Sequence, residues 1–227
     1  MAATFVERRG MPVEGGSAVV ARRTPGLGFV LAWMAAIALA SALAAVVEAG
    51  LFAGVRGMGA TASFWTGLLA AGVSGLFQGV ATGLVLRRYM PYWRTWTAAT
   101  AFGTVLAYAL GLAVVLAATF NASSRAGVTA FSSAWIMASP LILQLVITSF
   151  QWLVLRRAVR RAWIWIVVAT LASAAVSIGS LALGAGALGL VETVELVALG
   201  VVGGLLGAVV TGPTMAWLIR GRSFRRA

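Results

Sequence analysis

Residues 150–165 read FQWLVLRRAVRRAWIW, and residues 83–96 read GLVLRRYMPYWRTW. Both run from apolar side chains into an arginine pair and then into tryptophans. A looser copy, AWLIRGRSFRRA, closes the chain at residues 216–227. An apolar stretch that ends in Arg and Trp is the pattern of a helix leaving lipid. The guanidinium reaches the phosphates, and the amphipathic indole rests at the boundary. A generic anchoring device and true internal repetition both produce such a phrase, and the spacing favours repetition. Gly83 and Trp152 lie 69 residues apart, Trp96 and Trp165 again 69, and Trp152 and Trp217 65. Each period holds one outgoing and one returning span. The expected architecture is therefore all-α, with six transmembrane helices arranged as three parallel tandem helical hairpins, in a ring or a row.

Composition points to the same solvent. Of the 227 residues, 61% are hydrophobic and 10% charged, with a mean hydropathy of +0.99. Soluble domains carry about 25% charged residues. A spanning helix needs about 20 apolar residues, and six windows supply them: Leu27–Val47, Phe64–Leu86, Trp96–Phe120, Phe131–Leu155, Trp163–Leu183 and Val194–Ile219. These divide the chain into a basic tail at 1–24, a membrane domain at 25–219 and a basic tail at 220–227. Pro140 and Pro213 remove backbone bonds within two of the windows and favour kinks there.

All seventeen positive charges are arginine, and six spans place fifteen of them on one face. They occupy the two tails and the loops around Arg87 and Arg156, leaving Arg56 and Arg125 opposite. The excess of positive charge marks the cytoplasmic side, so both termini are expected there, in the bacterial inner membrane. A net charge of +12 beside apolar spans suits anionic lipid rather than nucleic acid. Arg87, Arg88, Arg156 and Arg157 are the expected headgroup anchors, with Trp96, Trp152 and Trp165 in the inner aromatic belt.

Small residues recur where helices must touch. Gly67, Ala71, Gly75, Gly79 and Gly83 follow one another at every fourth position, and Gly200, Gly204 and Gly212 share a face of the last span. Such faces allow close backbone approach, either within the chain or to a partner subunit. Two polar stripes run beside them: Ser74, Gln78 and Thr82 in the second span, and Pro140, Gln144, Thr148 and Gln151 in the fourth. Amides at membrane depth glue helices together or line a polar ligand path, here through Gln78, Gln144, Thr148 and Gln151.

The phrase QWLVLRR resembles repeats in a group of bacterial multi-pass membrane proteins to which no activity attaches. The resemblance covers about Gly75 to Trp165. Mitochondrial carriers share a scheme of three two-span repeats, but their proline, acid and base signature is missing. Ala32, Ala36, Ala40 and Ala44 resemble the alanine faces of substrate-binding subunits in vitamin importers, which implies docking on a transporter partner.

Catalytic chemistry finds few groups to work with. The sequence has no Cys, His, Lys or Asp, and its acids are Glu7, Glu14, Glu48, Glu192 and Glu195. Thiolate and histidine metal sites are excluded, and no base is poised near neutral pH. The expected function is a non-catalytic accessory subunit of a larger membrane complex, such as a respiratory or photosynthetic one. Lipids are its expected small partners, with pigments or quinone of the complex contacted by packing alone. The alternative is a transport component or a small-molecule-binding membrane subunit.

Overall fold

The computed structural model describes residues 24–55, 57–121, 125–183 and 192–221. Six helices account for nearly all of them: α1 (Leu27–Gly54), α2 (Ala60–Leu86), α3 (Trp93–Asn121), α4 (Arg125–Leu155), α5 (Trp163–Leu183) and α6 (Glu192–Arg220), with no strand among the described residues. Five of the six are long and apolar enough to cross a membrane, and α5 contributes a shorter apolar run, Trp163–Gly179. Helix is the expected answer of an apolar chain in lipid, because it satisfies every backbone group within the segment. Both tails lie largely outside the described residues.

The helices outrun the sequence windows by up to a turn or two. Polar residues at their ends continue the intrahelical ladder into the boundary region, so α4 begins at Arg125 and α3 at Trp93. Pro140 and Pro213 both sit inside continuous helices. The turn between α1 and α2 uses Gly57 at φ 84° and Gly59 at φ 87°. L side chains are strained in that region, which explains two glycines within three positions.

The two complete arginine phrases fold alike. After α2, the Leu86 carbonyl accepts the Tyr89 and Met90 amides at 2.8 and 2.7 Å. After α4, the Leu155 carbonyl accepts the Ala158 and Val159 amides at 2.9 and 2.8 Å. Every partner in one turn lies 69 residues from its counterpart in the other.

Each helix packs on its neighbours in sequence, and α1 closes on α6; among the described residues no other pair of helices meets at the backbone level. The bundle is therefore a ring. Its closing seam has no covalent loop at the arginine end. There Arg220 Nε donates to the Pro25 carbonyl at 2.6 Å, tying the end of α6 to the start of α1.

Glycine sets the closest seams. A Cβ on Gly75 would fall 2.7 Å from Thr104 Cβ, and one on Gly79 2.8 Å from the Thr97 carbonyl, so the long glycine face of α2 lies against α3. A Cβ on Gly204 would fall 2.7 Å from Ser41 Oγ and one on Gly212 3.3 Å from Trp33, both on α1, whereas one on Gly200 would make ordinary contact with Ala45 and Ser41 at 3.7 Å. Gly67 faces Tyr108, and Ala71 is buried. The α4–α5 seam has a hydroxyl pair instead, Thr148 to Thr170 at 3.0 Å.

Candidate functional site: an axial cavity above a tryptophan triad

Each odd-numbered helix carries a tryptophan near its first turn or two: Trp33 on α1, Trp96 on α3 and Trp165 on α5. The three indoles meet on the ring axis. Their centroids are 6.4 Å (33–96), 6.0 Å (33–165) and 5.7 Å (96–165) apart, all in edge-to-face contact. That geometry sets the positive ring edge against the negative face of a neighbour and adds about 0.5–1.5 kcal/mol per pair beyond burial.

Each indole N–H has an acceptor on the even helix that precedes it around the ring. Trp96 donates to Thr82 Oγ1 at 2.9 Å, and Trp165 to Gln151 Oε1 at 2.8 Å, both across 14 residues of chain. Trp33 donates to Thr211 Oγ1 at 3.2 Å across the closing seam. The Thr82 hydroxyl in turn donates a hydrogen bond to the Gln78 backbone carbonyl at 2.6 Å. Gln151 Nε2 donates onward to Thr100 Oγ1 at 3.1 Å, and Thr100 donates to the Trp96 carbonyl. The triad is fully satisfied, as buried polar groups must be.

Toward the arginine end the axis is filled with hydrocarbon. Leu86, Leu155 and Met215, four residues beyond Thr82, Gln151 and Thr211, are all 0% exposed. One further turn gives Met90, Val159 and Ile219, all buried. These layers seal that end of the ring.

On the other side of the triad lies a partly open cavity of about 200 Å³. All six helices contribute to its wall. The triad forms the floor, and Gln78, Gln144, Ser173, Ser177 and Gly207 are among the residues above it. Ser173 and Ser177 stand one turn apart on α5, and so share its inner face. Among the described residues, the side-chain amides of Gln78 and Gln144 and the hydroxyls of Ser173 and Ser177 have no hydrogen-bond partner. Among the described residues, no lining side chain is charged. Glu48 is not among the lining residues, and no cluster of candidate metal ligands exists among the described residues. The arrangement offers uncharged donors and acceptors over an aromatic floor.

The structure brings three of the four polar residues singled out from sequence to one cavity. Gln78, Gln144 and Gln151 reach the cavity, whereas Thr148 is fully buried between α4 and α5 and hydrogen-bonds Thr170. The lipid-boundary role expected of Trp96 and Trp165 is corrected. They are 1% and 3% exposed, because the first turns of α3 and α5 aim them at the axis. Trp152 does lie near the surface, with Arg156 5.0 Å from its ring, while Trp163 and Trp217 are exposed. Arg87, Arg88, Arg156 and Arg157 are exposed at the ends of α2 and α4. Thr211, six residues before Trp217, stands to Trp33 as Thr82 does to Trp96 and Gln151 to Trp165. Sequence reasoning missed Trp33, Ser173 and Ser177. A tryptophan near the start of every odd span was the available signal for the first, and the i, i+4 serine pair for the others.

No known protein family, curated protein or solved structure matches the chain.

Proposed function

We propose that this is a non-catalytic, six-span membrane protein that binds a small molecule in its axial cavity. The observation that carries the proposal is a partly polar chamber lined by all six helices and sealed at its arginine end. A pocket with one closed end suits capture and retention better than free passage. The partner-subunit reading drew on glycine faces that are occupied within the chain by α3 and α1, so the cavity is the stronger basis.

The spans and repeats belong to the same proposal. At about 1.5 Å per residue, the 21 residues of α5 match a hydrocarbon core of about 30 Å. The recurring indole-to-acceptor bonds support three repeats, α2–α3, α4–α5 and α6–α1, the last divided between the two ends of the chain. With the arginine-rich loops on the cytoplasmic side of the inner membrane, the cavity lies on the far side of the triad from the cytoplasm.

Gly207 provides the test. It lines the cavity, and a Cβ there meets no atom within 4 Å. Gly207→Leu therefore adds its Cβ without a clash and puts an isobutyl group at the chamber wall, and leucine suits a helix better than glycine. Native mass spectrometry of protein extracted from its source membrane should show a retained small molecule in the wild type and none in the variant. Equal spectra and equal unfolding profiles for the two would sink the proposal.

A further inference from the structure

Resting on that reading, we infer that the cavity selects an uncharged ring compound with an amide-like edge, one that both donates and accepts hydrogen bonds. The polar inventory of the wall makes the first argument. Thr82, Gln151, Thr211 and the three indole N–H groups are already paired with one another across the helices. Gln78 and Gln144 are not, and neither are Ser173 and Ser177 on the α5 wall. A glutamine amide carries two donors and an acceptor, and a serine hydroxyl is both. Gln78 is exposed and Gln144, Ser173 and Ser177 are half-buried along this partly open wall, so an occupant that displaces solvent there must replace its hydrogen bonds.

Charge makes the second argument. An ionised ligand sheds its hydration on entry and needs a counter-charge, and the lining has none. A hydrocarbon fails for the opposite reason. It would leave the amides and hydroxyls dry and unpaired, and a site built to hydrogen-bond rejects the analogue that lacks the group.

Shape makes the third. The floor is three indoles in edge-to-face contact, a surface that favours another aromatic ring. The chamber, about 200 Å³, is somewhat larger than the roughly 150 Å³ of an engineered protein cavity that holds benzene. One substituted ring fits.

Three isosteric probes separate these terms: benzamide, benzoate and cumene. Each is titrated against the full-length protein in lipid nanodiscs by saturation-transfer NMR, and the Gly207→Leu signal is subtracted to remove partition into lipid. Benzamide is expected to bind at least about 10-fold more tightly than either of the others. Gln144→Leu should weaken benzamide about 2- to 10-fold, as loss of one hydrogen bond predicts, and leave cumene unchanged. Ser177→Ala is the second variant, with the same expected direction, should Gln144→Leu fail to fold. Benzoate binding as tightly as benzamide overturns the inference, as does cumene doing so, while cavity binding itself stands. No cavity-dependent signal from any probe also overturns the inference. The cavity reading falls with it only if Gly207→Leu also leaves the retained molecule in place.

Discussion

Trp96 and Trp165 occupy sequence positions that two different physical roles would explain equally well. Beside Arg at the end of a span, an indole serves either as a boundary anchor or as a buried donor. Hydropathy cannot distinguish them, because the choice depends on helix rotation within the ring. The structure places them on the axis with Trp33, each bonded to Thr or Gln. Replacement by Phe keeps an aromatic ring, removes the N–H and leaves its acceptor unpaired. Trp33→Phe, Trp96→Phe and Trp165→Phe should each cost about 1–3 kcal/mol. Trp163→Phe and Trp217→Phe, at residues 59% and 48% exposed, should cost less than about 0.5 kcal/mol. Reversible unfolding in mixed micelles measures both sets. Similar losses at all five positions would argue against the triad as a packed unit.

At the level of helices, much more could be read from sequence. Apolar length located all six, and the every-fourth-residue glycine pattern identified the face of α2 that approaches another backbone. It could not identify which helix approached, since a small-residue face fits any partner. In the structure that partner is α3. Gly79→Ala inserts a methyl 2.8 Å from the Thr97 carbonyl, a backbone atom that moves only if the helix moves. Overpacking of this kind costs about 1–3 kcal/mol. Gly179→Ala is the matched control. Its Cβ meets nothing within 4 Å, so the helix-propensity gain of up to about 1 kcal/mol should appear as neutral or raised stability. Thermal unfolding of the purified variants reads the contrast, and equal destabilisation by both would mean that the α2–α3 seam is looser than this geometry requires.

The ring as a whole was only half legible. The two arginine phrases 69 residues apart each lead to an indole bonded to an acceptor 14 residues before it, but the phrase around Trp217 does not lead to the third such bond, whose acceptor, Thr211, is in α6 and whose donor, Trp33, is in α1. Sequence comparison within the chain runs forward and does not join the last helix to the first. The cavity was less legible still, since its wall draws on all six helices and exists only once the ring closes. Closure of an even-numbered ring also constrains topology. Six antiparallel helices return the chain to its starting end, which lets Arg220 reach the Pro25 carbonyl, whereas five would leave α1 to start and the last helix to finish at opposite ends of the bundle. The absence of cysteine makes this directly measurable, because any introduced thiol is the sole one. Single cysteines at Met58, exposed in the α1–α2 turn, at Arg160 in the α4–α5 turn, and at Gly221 beyond α6 sample both faces. In sealed inside-out vesicles an impermeant maleimide should label Arg160→Cys and Gly221→Cys, while Met58→Cys reacts only after the vesicles are opened. Labelling of Arg160→Cys and Gly221→Cys from opposite sides would remove α5 or α6 as a span. It would also remove the axial chamber, because without either helix the wall carrying Ser173, Ser177 and Gly207 opens to lipid.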